Sequence, residues 1–414
     1  METDGRERVF VLLQGPYSEF FTELAAALRR TGAGVRRVLF CPGDRLYWRG
    51  PGAVSFRGRQ DEWRGWIEAF LRAEGATDIV MLGDGRRLHD EAAQAAQALG
   101  IRVHVVELGY LRPGWLTLEP DGTGGRSRFP RDWAEIAALA AGAPGLPSPR
   151  FAASFIEYAA KDVAFSLANL LASWAMFPHY RRHSPDHPLT EWSGWIWNKL
   201  LRAPARASAL RAAEARIAAH EGPVFFLPLQ LDADFQMRLH APPGGVAALM
   251  EQAVRSFAAH APAEALLVVK VHPLDHLWAG WRRKVEAAAR EAAVTARCLY
   301  LDGGDLEAML PRTAGVVVAN STVGLSALRA GAPVIALGTA IYDLPGLTFQ
   351  RGLDQFWRES APPEPPRLDL FLRALAASIQ LPGGFDGEGV KPGAAAMAAR
   401  MLAPPPWPRR EATA

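Results

Sequence analysis

Residues 316–337 read VVVANSTVGLSALRAGAPVIAL, a strand, turn, helix, turn and strand in succession. Val316, Val317 and Val318 are β-branched and apolar, as a parallel strand buried on both faces requires. Asn320, Ser321 and Thr322 are all helix N-cap residue types. A helix then runs to about Ala330, Gly331 stops it as a C′ glycine, and Val334–Leu337 resumes as strand. A β-α-β unit of this kind commits the chain to a parallel sheet. It also places backbone N–H groups and the positive end of a helix dipole at the mouth of that sheet. The hydroxyls at Ser321 and Thr322 either cap the helix alone or hold a phosphate there.

The same alternation recurs through two stretches. In the first, strands are expected at Val9–Leu13, Val35–Phe40, Asp78–Leu82 and Val103–Glu107. Helices are expected at Phe20–Arg30, Trp63–Ala73 and Leu88–Leu99, with loops at Cys41–Asp44 and Gly83–Gly85. In the second, strands are expected at Val224–Leu227, Leu266–Val271 and Cys298–Leu301, with helices at Val246–Ala259, Trp281–Ala293 and, briefly, Leu306–Leu310. Alternation with short turns predicts two doubly wound, Rossmann-like α/β domains facing a cleft, with an inserted helical region. Residues 116–130 read as Gly-rich and irregular, Asp132–Ala140 as a short helix and Ala143–Pro149 as a Pro-rich loop. The expected divisions are 1–150, a helical stretch 151–220, 221–367, and C-terminal helices with a tail over 368–414. At 414 residues the chain suits two domains. No GxGxxG is present, so the dinucleotide fingerprint is absent.

Ligands bind doubly wound sheets at the C-terminal ends of the strands. In the first half Gln14, Asp44, Asp84 and Glu107 fall there. In the second half three strands end in polar residues: Gln230 with Asp232 and Asp234, Lys270 with His272 and Pro273, and Asn320 with Ser321 and Thr322. Taken singly, each has an ordinary structural use. Together they place a carboxylate, a cation, an imidazole and a phosphate-ready helix end on one edge. That set suits transfer from a phosphate-bearing donor. His272 and the helix end would neutralise the leaving phosphate. Asp232 or Asp234 would act as base or nucleophile at a sugar carbon, and Glu107 would supply a second carboxylate; paired carboxylates are one route to retention. Asp232 and Asp234 form a D-x-D, but the other acidic residues are dispersed, and a helix end and a His already offer metal-free phosphate neutralisation, so no metal and no cofactor is expected.

Composition limits the other classes. The formal net charge of +3 makes no whole-chain case for nucleic acid. Two distant cysteines suit a reduced, cytoplasmic setting. METDGRERVFVLLQG enters a strand at once, without a signal-peptide core, and no apolar run reaches the roughly 18 residues of a membrane span. The run from Trp174 to Arg202 is rich in aromatic and basic residues, including His179, Tyr180, Arg181, Arg182, His183, Trp192, Trp195, Trp197 and Lys199. It reads either as a membrane-facing patch or as core. Trp192, Trp195 and Lys199 have the i, i+3, i+7 spacing of one helix face.

The segments FVLLQGPYSEFF, VELGYLRPGWLTLE with FPRD, FLPLQLDADFQ, KVHPLD and NSTVGLSALRAGAPVIALGTAIYDLPGLT resemble the capsule polysaccharide biosynthesis family of bacterial export systems. Within it, they are most similar to members that add the first β-linked Kdo (3-deoxy-manno-octulosonic acid) to a phosphatidylglycerol-type lipid. The resemblance covers most of the chain. It implies a glycosyltransferase B fold, CMP-Kdo as donor, retention, and work at the inner face of the inner membrane beside other capsule proteins. It places CMP-binding motifs on His272, Pro273, Ser321 and Thr322, with Gln230, Lys270 and Asn320 alongside. The family's aspartate nucleophile falls on Asp234 or Asp232, and its E-x-G-[YF] glutamate on Glu107, followed here by Leu108, Gly109 and Tyr110. Gln14, Arg112 and Asp232 remain for acceptor or sugar, with Arg112 open between an oxyanion contact and a surface ion pair. Two other classes share these features: a two-domain nucleotide-sugar epimerase, which needs no lipid, and a non-catalytic export component, which needs none of the polar strand ends.

Overall fold

The computed structural model describes residues 7–141, 143, 145, 151, 155–182, 187–231, 244–275 and 277–404. The chain forms two compact units, Met1–His183 with Leu372–Ala414, and Ser184–Phe371. This division departs from the sequence-based boundaries. The helical stretch is shared, with helix Phe155–Met176 in the first unit and helices Pro188–Ile196 and Ala203–Ala218 in the second. The C-terminal helix Val390–Leu402 returns to the first unit, where it packs on Phe20–Arg30.

The first unit holds strands β1 (Val9–Leu12), β2 (Gly34–Leu39), β3 (Ala53–Ser55), β4 (Asp78–Leu82), β5 (Arg102–Leu108) and β6 (Trp115–Pro120). The second holds β7 (Val224–Pro228), β8 (Leu266–Lys270), β9 (Cys298–Leu301), β10 (Gly315–Val318) and β11 (Val334–Ala336); β12 (Gln380–Pro382) is back in the first. The first sheet runs β12-β6-β5-β4-β1-β2-β3, parallel from β3 to β5. The second runs β11-β10-β7-β8-β9 and is parallel throughout. Two Rossmann-like sheets are therefore present, as the alternation requires.

β1 shows why helices cover both faces. Phe10 and Leu12 enter one core with Phe20, Leu24 and Met397, while Val11 and Leu13 enter another with Trp63, Ile67 and Ala92. Successive residues point to opposite faces, so an all-apolar strand needs cover on each. In the second unit Phe225, Leu227, Leu267 and Val269 pack with Val254, Phe257, Val285 and Trp357.

Four elements differ from the sequence reading. Residues 115–120 form β6, antiparallel to β5 and buried, where an irregular stretch was expected. The C-terminal region contributes β12, antiparallel to β6, besides helices. Pro42–Leu46 is a short helix rather than a loop, and β3 adds an edge strand. Of the expected face of Trp192, Trp195 and Lys199, the two tryptophans lie in one α-helix and Lys199 lies beyond its end. The α-helix ends at Ile196 and passes into a π-helical segment, Trp197–Leu201. A π-turn carries an extra residue, which rotates everything beyond it around the axis.

A buried charge anchors the first sheet. Asp78, at the start of β4, accepts hydrogen bonds from Arg8 (2.7 and 2.6 Å), Arg102 (3.0 Å), Thr77 (2.6 Å) and His104 (2.7 Å). Burial alone would raise its pKa; the bonds from His104 and Arg8 override this and hold the carboxyl well below the usual range. Replacing Asp78 by Ala leaves several donors facing a gap. A loss of about 3 kcal/mol in urea unfolding is expected, at the low end for a buried pair because Arg8 and Arg102 keep part of their surface in water. Because the folded-state pKa is depressed, this stability is present above the ordinary aspartate range and is lost as pH falls below it. An Asp78→Ala protein with wild-type stability at pH 7 would refute the anchoring role.

Candidate functional site

In the second unit the polar strand ends lie on three adjacent strands, β10, β7 and β8. The side chains of Gln230 and Asn320 meet directly. Gln230 Nε2 donates to Asn320 Oδ1 at 3.0 Å, and the Asn320 N–H donates to Gln230 Oε1 at 3.4 Å. The amide of one strand end thus orients the turn that opens helix Thr322–Arg329. Ser321 is the N-cap, with extended backbone, and its hydroxyl accepts from the Val323 N–H at 3.2 Å. The Tyr342 hydroxyl donates to the Ser321 carbonyl. It occupies the place a Cβ on Gly324 would take, which is why glycine stands in this first turn. Ser321 therefore does cap the helix, and Thr322 beside it is half-buried.

Lys270 is buried at the end of β8, paired in register with Pro228. His272 follows on the same edge and is half-buried. Its Nδ1 accepts from the Leu274 N–H at 3.1 Å, so in the neutral ring Nε2 carries the proton. Pro273 is exposed. Asp232 and Asp234 lie outside the described residues. Among the described residues no group of three or more His, Cys, Asp or Glu could hold a metal ion.

The first unit gathers its own polar edge. Gln14 is buried, and both ends of its amide are engaged: Nε2 donates to Asp44 at 3.0 Å and Oε1 accepts from Arg86 at 2.6 Å. Asp44 also accepts from the Phe40 N–H at 2.8 Å. Gln14 thus ties the ends of β1 and β2 to the loop after β4. His89 donates from Nδ1 to the Gly83 carbonyl at 2.8 Å; burial, with Arg86 nearby, lowers its pKa to about 3 and keeps the ring neutral.

Glu107 lies one residue before the end of β5, over Gly83, whose positive φ and missing Cβ leave room for the carboxylate. Arg112 is exposed, and its Nε donates to the Gly109 carbonyl at 3.0 Å, bracing the turn that follows Glu107. Tyr110 is fixed at both ends, its N–H by Gln380 Oε1 at 2.7 Å and its hydroxyl by Glu119 Oε1 at 3.2 Å.

Glu119 is the residue the sequence reading missed. It lies on β6 opposite Val105, on the same face as Glu107 and two pairs along. It is fully buried, faces the Ser127 hydroxyl, and has Asp84 and Glu107 near it. Burial pushes its carboxyl up to about 8, over the opposing bonds from Ser127 and Tyr110. Asp84, also buried, accepts from Thr123 at 2.9 Å and lies 3.6 Å from Arg126. The only sequence signal was a glutamate inside an otherwise apolar LTLEP run.

Similarity to known proteins agrees with the motifs. Residues 77–385 match the family described as capsule polysaccharide biosynthesis protein. The chain belongs to that family. It is 32% identical to the capsule polysaccharide export protein KpsS of Escherichia coli, over 90% of this chain and 95% of that protein. It is 31% identical to the capsule polysaccharide modification protein LipB of Neisseria meningitidis serogroup A, over 91% of each. Among solved structures, the β-Kdo 2,7 transferase of Thermosulfurimonas dismutans KpsC aligns with TM-score 0.41 at 15% identity, over 89% of this chain and 90% of that one.

The buried Glu119 carries a pH signature. An acid whose folded-state pKa is raised from 4.5 to about 8 costs no stability below its unfolded pKa. The cost grows as pH rises from there through the folded pKa, with a slope of at most about 1.4 kcal/mol per pH unit. Glu119→Gln keeps the shape and removes the titration. Between pH 5 and 8 the melting temperature of the wild type should fall relative to that of the variant. Parallel curves would show that Glu119 is not held neutral.

Proposed function

We propose that the protein is a retaining glycosyltransferase that moves β-Kdo from CMP-Kdo to a (lyso)phosphatidylglycerol acceptor, initiating the lipid linker of a capsular polysaccharide. Family membership supports a capsule role. The observation that carries the chemistry is the carboxyl edge of the second sheet, where Gln230, Asn320, Ser321, Lys270 and His272 sit on three neighbouring strands. A CMP phosphate at the helix end would meet backbone N–H groups, the dipole and the His272 Nε2–H.

In this reading Asp234, with Asp232 as the alternative, attacks the anomeric carbon as the bond to the CMP phosphate breaks. The glycosyl–aspartate ester is then displaced by an acceptor hydroxyl, and Glu107 takes the hydroxyl proton. CMP leaves with the electron pair of the broken bond, so no net redox change occurs and no redox cofactor is required, and in this reading His272 and the helix end neutralise the phosphate in place of a metal. Arg112 serves by shaping the turn after Glu107, and Gln14 by holding the loops around it.

Calorimetry with CMP tests the donor site. His272→Ala and Ser321→Ala should each weaken CMP binding about 10- to 100-fold, the worth of a hydrogen bond to a charged group. A Ser321 hydroxyl that only caps its helix would lower the melting temperature and leave CMP affinity intact. Mass spectrometry of lysophosphatidylglycerol incubated with CMP-Kdo and enzyme then tests transfer. Asp234→Ala should abolish the added Kdo mass. More than a tenth of wild-type rate in a folded variant would remove Asp234 from the nucleophile's role, and CMP-Kdo consumed without lipid would point to the epimerase class.

A lipid acceptor requires contact with the bilayer, and among the described residues no helix is long and apolar enough to cross one. Helix Phe155–Met176 supplies a surface. Lys161 pins one side of it to Glu19 (3.1 Å) and Asp386 (3.2 Å), and Asn169 accepts from the Gly43 N–H at 2.8 Å. On the outer side Ile156, Val163, Leu167, Leu170, Leu171 and Trp174 are exposed at spacings of one helical stripe, Trp174 by 78%. Trp192 and Trp195, favoured from sequence, are only half-exposed, and the Lys199 side chain is outside the description. A Leu171→Ser, Trp174→Ser variant should keep its melting temperature and fail to float with phosphatidylglycerol vesicles. Undiminished flotation would take this helix out of membrane contact.

A further inference from the structure

The carboxyl edge of the second sheet continues past His272 into a cavity of about 530 Å³ at the ends of β8 and β9, walled by helices Ala203–Ala218 and Trp281–Glu291. Its charged lining is four arginines, Arg202, Arg206, Arg282 and Arg283, against two aspartates, Asp275 and Asp302. The Tyr300 hydroxyl, which burial pushes up, adds no charge at neutral pH. The wall therefore carries an excess of two positive charges.

Part of this set is structural. Asp302 sits 3.0 Å from Arg206 Nε and accepts from Asn198 Nδ2 at 3.4 Å. The Arg282 guanidinium lies over the Tyr300 ring, 4.7 Å from its centroid. Arg202 and Arg283 have no such use. Both are exposed, and among the described residues neither has a carboxylate within ion-pair distance. Guanidinium groups gathered round a concavity repel one another unless an anion lies between them. Their planar forks match the oxygens of a phosphate or carboxylate. Trp278, 54% exposed, sets an aromatic face beside them, and Trp281 closes the wall. An aromatic face and paired guanidinium groups suit a ligand that has a ring and an oxyanion together.

We propose that this cavity is a second anion site, which binds the phosphate or carboxylate of a sugar-bearing ligand between Arg202 and Arg283 with the adjoining ring on Trp278. The site goes beyond the sugar-nucleotide reading. It shares no residue with the Gln230, Asn320 and Ser321 cluster, and stands whether or not CMP binds there. An oxyanion of this kind could come from a lipid headgroup or from a sugar acid.

Ligand-observed NMR and calorimetry on the full chain separate these sources, with glycerol 3-phosphate, glucuronate and neutral glucose as probes. At least one charged probe should bind tenfold or more tightly than glucose, a margin of about 1.4 kcal/mol, and should weaken as salt rises. Stronger binding of glycerol 3-phosphate assigns the site to a phosphate, and stronger binding of glucuronate to a sugar carboxylate. An Arg202→Gln, Arg283→Gln variant should lose at least tenfold in affinity for the favoured probe at unchanged melting temperature. CMP affinity, measured on the same variant, should be unaltered, so that failure here is distinct from failure at the helix end. Charged probes that bind no better than glucose, or full affinity in the double variant, would overturn the proposal.

Discussion

A parallel strand covered on both faces can place a polar side chain only at its ends. β1, β7, β8 and β10 obey this: each is apolar through its length but for the terminal Lys270 of β8, and each is buried but for the half-buried Val9 that opens β1. The polar groups that follow them are concentrated on one edge and must satisfy each other there. Gln14 does so with Asp44 and Arg86, and Gln230 does so with Asn320. Unpaired, such amides would cost about 1–3 kcal/mol each. Pairing converts that liability into fixed geometry, because an amide bonded at both ends cannot turn. The loops that carry potential chemistry are thereby held by residues with none of their own.

The two edges differ in electrical character. The first gathers Asp84 just after β4, Glu107 on β5 and Glu119 on β6, one of them neutral at pH 7, with Arg86 and Arg126 beside them. The second offers a lysine, an imidazole donor, a helix N-terminus and, further along, a cluster of arginines. A hydroxyl that must give up a proton would find acceptors at the first.

Much of this was legible because the signals are local. Apolar runs ending in N-cap residues or His-Pro specify a strand, its end and its edge within a dozen residues. The segment after β5 was harder. In Trp115–Pro120 the glycines before and after suggest a loop, and a buried glutamate breaks the apolar pattern; only pairing with β5 and β12 makes it a strand. β12 comes from a stretch more than 250 residues away, so no local rule could supply it. The arginine cavity was likewise invisible, since its walls come from three separated segments. The π-helical segment was also unforeseen, because an α-helical period was assumed from Trp192 through Lys199.

Glu119 illustrates how a residue outside a motif can set its geometry. The E-L-G-Y turn has a glycine and is followed by Arg112-Pro113-Gly114, so little in its own sequence would keep it rigid. Three contacts do. Arg112 holds the Gly109 carbonyl, Gln380 holds the Tyr110 N–H, and Glu119 holds the Tyr110 hydroxyl from the neighbouring strand. An ionised Glu119 would crowd a third negative charge against Asp84 and Glu107 in a site with little water. A hydrophobic residue there would take away the acceptor of the Tyr110 and Ser127 hydroxyls. A carboxyl kept neutral by burial meets both demands, with two oxygens for the hydroxyls and no added charge. The position is therefore best filled by an acid that remains protonated at neutral pH, or by an amide of the same shape.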